Sequence, residues 1–239
     1  MSQIDEKKSL SAIALIFLHL LPGIPILFLI LLFANPVWGF GLDFSVSLYL
    51  AIAIGLIPVQ LGIIYFYAKK EGIKFKEAIG FKTKMPFLKT IIWVVPLLAF
   101  AVAVLVIVPN LEKPLWFMFD WVPKWFRLSE ATGPADNSSM ASLISISGLL
   151  LSCIFGPFAE EIYFRGFLLP RMRNFGKWAP LINAVLFSLY HFFSPWENLT
   201  RILFLLPLVY AVWFKKNIRI GLWTHCLLNF VYGAVMLSL

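Results

Sequence analysis

Seven long apolar runs are the feature that most limits what this chain can become. They lie at about Leu10–Phe33, Val46–Tyr67, Thr90–Val108, Ala141–Pro170, Ala179–Phe193, Leu199–Phe214 and Ile220–Leu239, each bounded by charge or by Pro, Gly and Asn. A bilayer-spanning helix needs about 20 mostly apolar residues. Backbone inside hydrocarbon must satisfy its own hydrogen bonds, so Leu/Ile/Phe runs without barrel-like alternation predict helices. With 61% hydrophobic and 13% charged residues and a mean hydropathy of +0.87, little chain is left for a soluble domain. The expected fold is therefore all-α, a polytopic membrane bundle of about seven transmembrane helices. Leu10–Phe33 is too long for a signal-peptide core and lacks a clear small-residue cleavage site, which predicts an uncleaved first span.

The net charge of +8 would suggest nucleic acid in a soluble protein, but here the basic residues fall in short connections between apolar runs. Assigned alternately to the two sides, sixteen Lys and Arg lie on the side of the N-terminus. Only Lys113, Lys124, Arg127 and Arg201 lie opposite. That asymmetry predicts a cytoplasmic N-terminus and an extracytoplasmic C-terminus. Residues 1–140 then hold three helices and a long outer connection, 109–140, and residues 141–239 form a core of four spans. The connection contains Trp116, Trp121 and Trp125, which suits either a segment lying at the interface or a plain loop. Cys153 and Cys226 both lie inside apolar runs, so neither a disulfide framework nor a Cys-based metal cluster is indicated.

Ionisable groups within a span are costly and mark function by default. The fourth run carries Glu160, Glu161 and Arg165. Glu161 and Arg165 are one helical turn apart and can pair, while Glu160 points about 100° away and is left for chemistry. Pro157 removes a backbone donor just before the acids. The fifth run has Phe187 and His191, and the seventh has His225 and Asn229, each pair on one helix face. At 1.5 Å per residue, Glu160 lies about 16 Å from Arg171, His191 about 18 Å from Ala179 and His225 about 9–14 Å from Arg219 or Lys216, so all reach one cytoplasm-facing cavity. His19, in the first run, belongs to no such pair and is expected to be dispensable.

A carboxylate and a histidine around a water-accessible cavity are what hydrolysis needs. Glu160 can take a proton from water, His191 can orient that water, and His225 with Asn229 can donate to an oxyanion. The same residues offer a zinc alternative through Glu160, His191 and His225, since two His and a carboxylate suffice for a catalytic site. Asn229 is a poor zinc ligand and the tandem His-Glu-x-x-His is absent, so the expectation is a site that requires no metal, with Zn2+ as the alternative cofactor.

Three motifs in order, Glu160-Glu161-x-x-x-Arg165, Phe187-x-x-x-His191 and His225-x-x-x-Asn229, make residues 141–239 resemble the CPBP (Abi) family of intramembrane endopeptidases, which includes the type II CAAX prenyl endopeptidases. The resemblance implies that Glu160 and His191 activate water, that His225 and Asn229 stabilise the oxyanion, and that Glu161, Arg165 and Phe187 support them. It also implies peptide or protein substrates at the bilayer, prenylated CAAX proteins or bacteriocin-like peptides. The compact chain, with no organelle-retrieval signal, fits a multi-pass protein of a bacterial plasma membrane. Nucleic acid is not an expected partner. Two rivals remain from other classes. A proton or ion transporter would use the same ionisable groups as a relay, but no inverted repeat is evident. An inactive scaffold would have no need of the intact Glu/His/His/Asn set. A reporter active only in the cytoplasm should work when fused within Glu71–Met85 and stay silent when fused after Leu239; a working C-terminal fusion would remove one span from this topology.

Overall fold

The computed structural model describes residues 8–126 and 146–238. Lys7, Arg127, the rest of the connection to residue 140, the start of the fourth run at Ala141 and Leu239 lie outside the described residues. Among the described residues the chain is helical apart from one isolated antiparallel bridge, Lys82 with Asn217, and the connections between helices. The helices are α1 (Ala12–Leu20), α2 (Gly23–Ala34), α3 (Phe44–Lys70), α4 (Phe75–Ala78), α5 (Phe87–Glu112), α6 (Ile146–Arg171), α7 (Ala179–Leu189), α8 (Asn198–Lys215) and α9 (Ile218–Ser238).

Among the described residues, five stretches are long and apolar enough to cross a bilayer: Ala12–Ala34, Phe44–Lys70, Phe87–Asn110, Ile146–Arg171 and Pro195–Lys215. Their outward faces carry large apolar side chains such as Ile13, Ile92, Val106 and Phe214, which lipid accommodates and water would not. The run at Ala179–Phe193, expected to be a full span, yields only the 11-residue α7. At about 16 Å it covers half of a ~30 Å hydrocarbon core. Tyr190 and His191 follow directly in a turn, so α7 lifts the histidine to mid-bundle depth and α8 returns antiparallel beside it. The 109–140 connection starts with short helical turns at Lys113–Phe119 and Lys124–Phe126. Trp116, Phe117, Met118 and Trp121 are exposed there.

Helices α3 and α6 share a local device. Each widens by one π-helical turn, at Ile52–Leu56 and Leu151–Phe155, and each has a proline two residues later, Pro58 and Pro157. A proline cannot donate to the preceding turn, and a π turn absorbs that gap. α6 is π-helical again over Glu161–Leu168.

Polar contacts fasten the N-terminal helices to the later ones. Tyr163 donates to the Leu18 carbonyl at 2.6 Å. Glu112, at the end of α5, accepts from the Thr200 backbone N–H at 3.0 Å and from its hydroxyl at 2.5 Å, and so caps the first turn of α8. His19, which belongs to none of the spaced pairs, is fully buried. Its Nδ1 donates to the Leu15 carbonyl at 2.7 Å, which leaves Nε2 to accept from the Asn183 amide at 3.0 Å. That amide also donates to the Phe164 carbonyl, at 3.1 Å. Sequence spacing relates neighbours on one helix, and this pair joins α1 to α7. His19→Ala should therefore lower stability by about 1–3 kcal/mol, the cost of unmaking a buried hydrogen bond, seen as a lower melting temperature in detergent.

Candidate active site

Pro157 determines where α9 docks on α6. In the widened turn its missing N–H would have been the donor for the Ser152 carbonyl. The Asn229 side-chain amide donates to that carbonyl instead, at 2.9 Å, and the Cys153 thiol lies 3.4 Å from the Asn229 carbonyl. A primary amide has two N–H donors, so this contact uses one of them.

One turn before Asn229, His225 meets both acids of α6. Its Nδ1 lies 3.0 Å from Glu161 Oε1, and its Nε2 lies 3.7 Å from Glu160 Oε2. Glu161 and Arg165 are both fully buried and approach to 3.2 Å, the expected one-turn pair. None of the guanidinium N–H groups is aligned for a hydrogen bond, so the contact is an ion pair by proximity, and the Arg165 plane stacks 4.1 Å from the Phe187 ring centroid. α9 comes this close because residue 221 is glycine: a Cβ there would run into the Glu161 carboxylate.

Glu160 faces the other way, as its position one residue earlier requires. It is 6% exposed, so nearly all of it is withdrawn from solvent. The Tyr190 hydroxyl donates to its Oε1, and His191 Nε2 lies 3.8 Å from the same oxygen. His191 Nδ1 donates to the Phe187 carbonyl at 2.9 Å, which leaves Nε2 with its lone pair toward Glu160. The turn after His191 is held by Arg201, buried and bonded to Ser194 at 2.8 Å and Glu197 at 2.7 Å. Gly23 lets α2 begin directly against the Tyr190 carbonyl, where a side chain would collide.

Glu160, Glu161, Arg165, Phe187, His191 and His225 thus form one cluster, and Asn229 sits on the same helix as His225, tied to α6. Spacing within the sequence does not single out Tyr190 or Arg201. A tyrosine in an apolar run reads as packing, and Arg201 reads as a topological charge; only the Tyr190 position beside His191 hints at the site. The zinc alternative has one matching feature, since both imidazoles turn Nε2 toward Glu160 with Nδ1 committed to an acceptor. The donor set does not meet at a point, however: among the described residues no three His, Cys, Asp or Glu side chains are placed to share one metal ion.

Two variants test the buried pair. Arg165→Ala strands Glu161 and should cost about 3–5 kcal/mol of stability. Gly221→Ala should cost about 1–3 kcal/mol by overpacking. Both are read as folded yield and melting temperature, and an unchanged Gly221→Ala protein would mean that α9 is not held against Glu161.

Residues 142–231, which contain every member of the cluster, match the family model described as Type II CAAX prenyl endopeptidase Rce1-like. The match supports a CAAX-type intramembrane endopeptidase and agrees with the CPBP resemblance of the motifs. No curated protein and no solved structure gives a significant match to the chain.

Proposed function

We propose, with the family match as premise, that the chain is an intramembrane endopeptidase in which Glu160 and His191 activate water and His225 with Asn229 bind the oxyanion. The observation that carries this reading is the gap between Glu160 Oε1 and His191 Nε2. At 3.8 Å it is too long for a direct hydrogen bond and suits a bridging water, which would donate one hydrogen to each acceptor. Glu160 takes a proton from that water as its oxygen attacks the scissile carbonyl carbon, and returns the proton to the leaving amine as the C–N bond breaks. The negative charge on the former carbonyl oxygen is met by the second N–H of Asn229 and by His225, which donates there from Nε2 in its doubly protonated form because its Nδ1–H is held by Glu161. Tyr190 fixes Oε1 so that the carboxylate presents one orientation to the water. Glu161 and Arg165 hold His225 and take no part in proton transfer. The substrates on this reading are peptides at the membrane, of prenylated CAAX or bacteriocin-like type, and the protein is a multi-pass component of a bacterial plasma membrane.

Purified protein in detergent, offered matched prenylated and unprenylated peptides with products read by mass spectrometry, tests this directly. Glu160→Gln keeps the size and removes the base, so turnover should fall on the order of 10²–10⁴-fold with normal folded yield. His225→Ala and Asn229→Ala should each cost on the order of 10²-fold. Tyr190→Phe should lower kcat about tenfold or more with little change in KM, as expected for loss of a hydrogen bond to a charged group. Cleavage should survive dialysis against a strong chelator; loss with recovery on adding zinc would reassign Glu160, His191 and His225 as ligands. Full cleavage by Glu160→Gln would return the cluster to a transport or scaffold role.

A further inference from the structure

A cavity of about 340 Å³ lies where the first turn of α5 meets the last turn of α8, and no member of the glutamate and histidine cluster lines it. That volume falls at the lower end of the ~300–1,000 Å³ typical of ligand sites. Lys84, Lys89 and Lys215 supply its charge, and Met85, Ile92 and Trp93 its apolar wall. Among the described residues, no carboxylate pairs with any of the three ammonium groups. Three like charges around one space repel each other unless an anion joins them.

The cavity is built into the backbone. The segment entering α5 is stitched to the α8–α9 turn by Thr83 N–H to the Lys216 carbonyl at 2.9 Å, Ile218 N–H to the Phe81 carbonyl at 2.9 Å and the Asn217 side chain to the Thr83 carbonyl at 2.8 Å. Lys216 takes the left-handed conformation that reverses the chain there. Lys215 Nζ is placed 4.6 Å above the Trp93 ring, which orients it over the cavity's aromatic wall. Pro86, the residue before α5, gives the helix no side-chain cap, so its first backbone N–H groups add partial positive charge at the same end.

Below this rim the wall becomes a bilayer-facing surface. Ile92 is 63% and Val95 58% exposed, and only 22% of the α5 span is buried. A soluble anion would satisfy the lysines and leave that continuous apolar strip uncovered, whereas a molecule with an anionic head and an acyl chain matches both. We infer that this cavity seats the phosphate headgroup of an anionic membrane lipid, with Lys84, Lys89 and Lys215 around the phosphate and an acyl chain along Ile92 and Val95.

Native mass spectrometry of the delipidated full-length protein in detergent tests the assignment. The protein is titrated with phosphatidylglycerol, with phosphatidylcholine of the same acyl chains, and with inorganic phosphate. Phosphatidylglycerol should bind at least about tenfold more tightly than phosphatidylcholine, and the triple variant Lys84→Gln/Lys89→Gln/Lys215→Gln should lose that preference. Lys69→Gln/Lys70→Gln/Lys76→Gln removes the same charge from exposed positions that do not line the cavity and should keep the preference within about twofold. Melting temperatures in lipid-free detergent verify that both variants fold. Unchanged phosphatidylglycerol binding in the first triple, or equal loss in both, overturns the site. Inorganic phosphate that displaces phosphatidylglycerol at comparable concentration overturns the lipid and assigns the cavity to free phosphate. Neither readout involves peptide cleavage, so the result is independent of the proposed protease chemistry.

Discussion

Glu161 is a fully buried carboxylate in a bundle surrounded by hydrocarbon, and the placement of three helices follows from its need for partners. Arg165 comes from its own helix and brings the countercharge. The hydrogen-bonding partner, His225, has to come from another helix. α9 can deliver it only by approaching to where Gly221 has no side chain to spare, while the aromatic face of Phe187 from α7 covers the guanidinium. A single costly group thereby fixes α6, α7 and α9 relative to each other. The cost of a buried charge is recovered only when the geometry of its partners is good, so the arrangement tolerates little displacement.

Positional accuracy at Glu161 is what makes its neighbour usable. Glu160 is one residue earlier and cannot share the ion pair, so it turns toward the hydroxyl of Tyr190 and the two imidazole Nε2 atoms. Those imidazoles are aimed by what holds their other nitrogens, the Phe187 carbonyl for His191 and Glu161 for His225. The short α7 contributes by ending at Leu189, which puts His191 in the turn that follows rather than on a helix face. The turn that replaces its second half is stiffened by Arg201 and capped on the far side through Glu112 and Thr200.

Much of the cluster is legible in the sequence because its members are related by spacing within helices. The Glu161–Arg165 pair and the separation of Glu160 from Glu161 follow from helical geometry alone, and the structure has both. What spacing cannot reveal is contact between helices. His19 and Asn183 carry no local signature and yet bond each other across 164 residues. The division of labour at Asn229 is hidden for a related reason. Its bond to the Ser152 carbonyl depends on a π turn whose sequence mark, a proline two residues beyond, looks like an ordinary kink. The length of α7 is equally obscure, because Tyr190, His191, Phe192 and Phe193 continue the apolar composition after the helix has ended.

α8 runs from the His191 turn to the basic cavity, and the way it is fixed limits what a ligand at one end can do at the other. Its first turn is held by Glu112 and Arg201 beside the His191 turn. Its last turn carries Lys215 over Trp93 and leads into the stitched reversal at Lys216. A ligand shifts a conformational equilibrium only through different affinities for two states. The walls of the basic cavity are set by backbone hydrogen bonds that involve none of the cluster residues, so a lipid bound there meets the same surface whether or not a peptide occupies the site. Its coupling is to folding instead: it binds the assembled α5–α8 contact and not the separated helices, and it stabilises the bundle by mass action. On this argument a lipid in the cavity preserves the accuracy of the glutamate and histidine cluster without switching it.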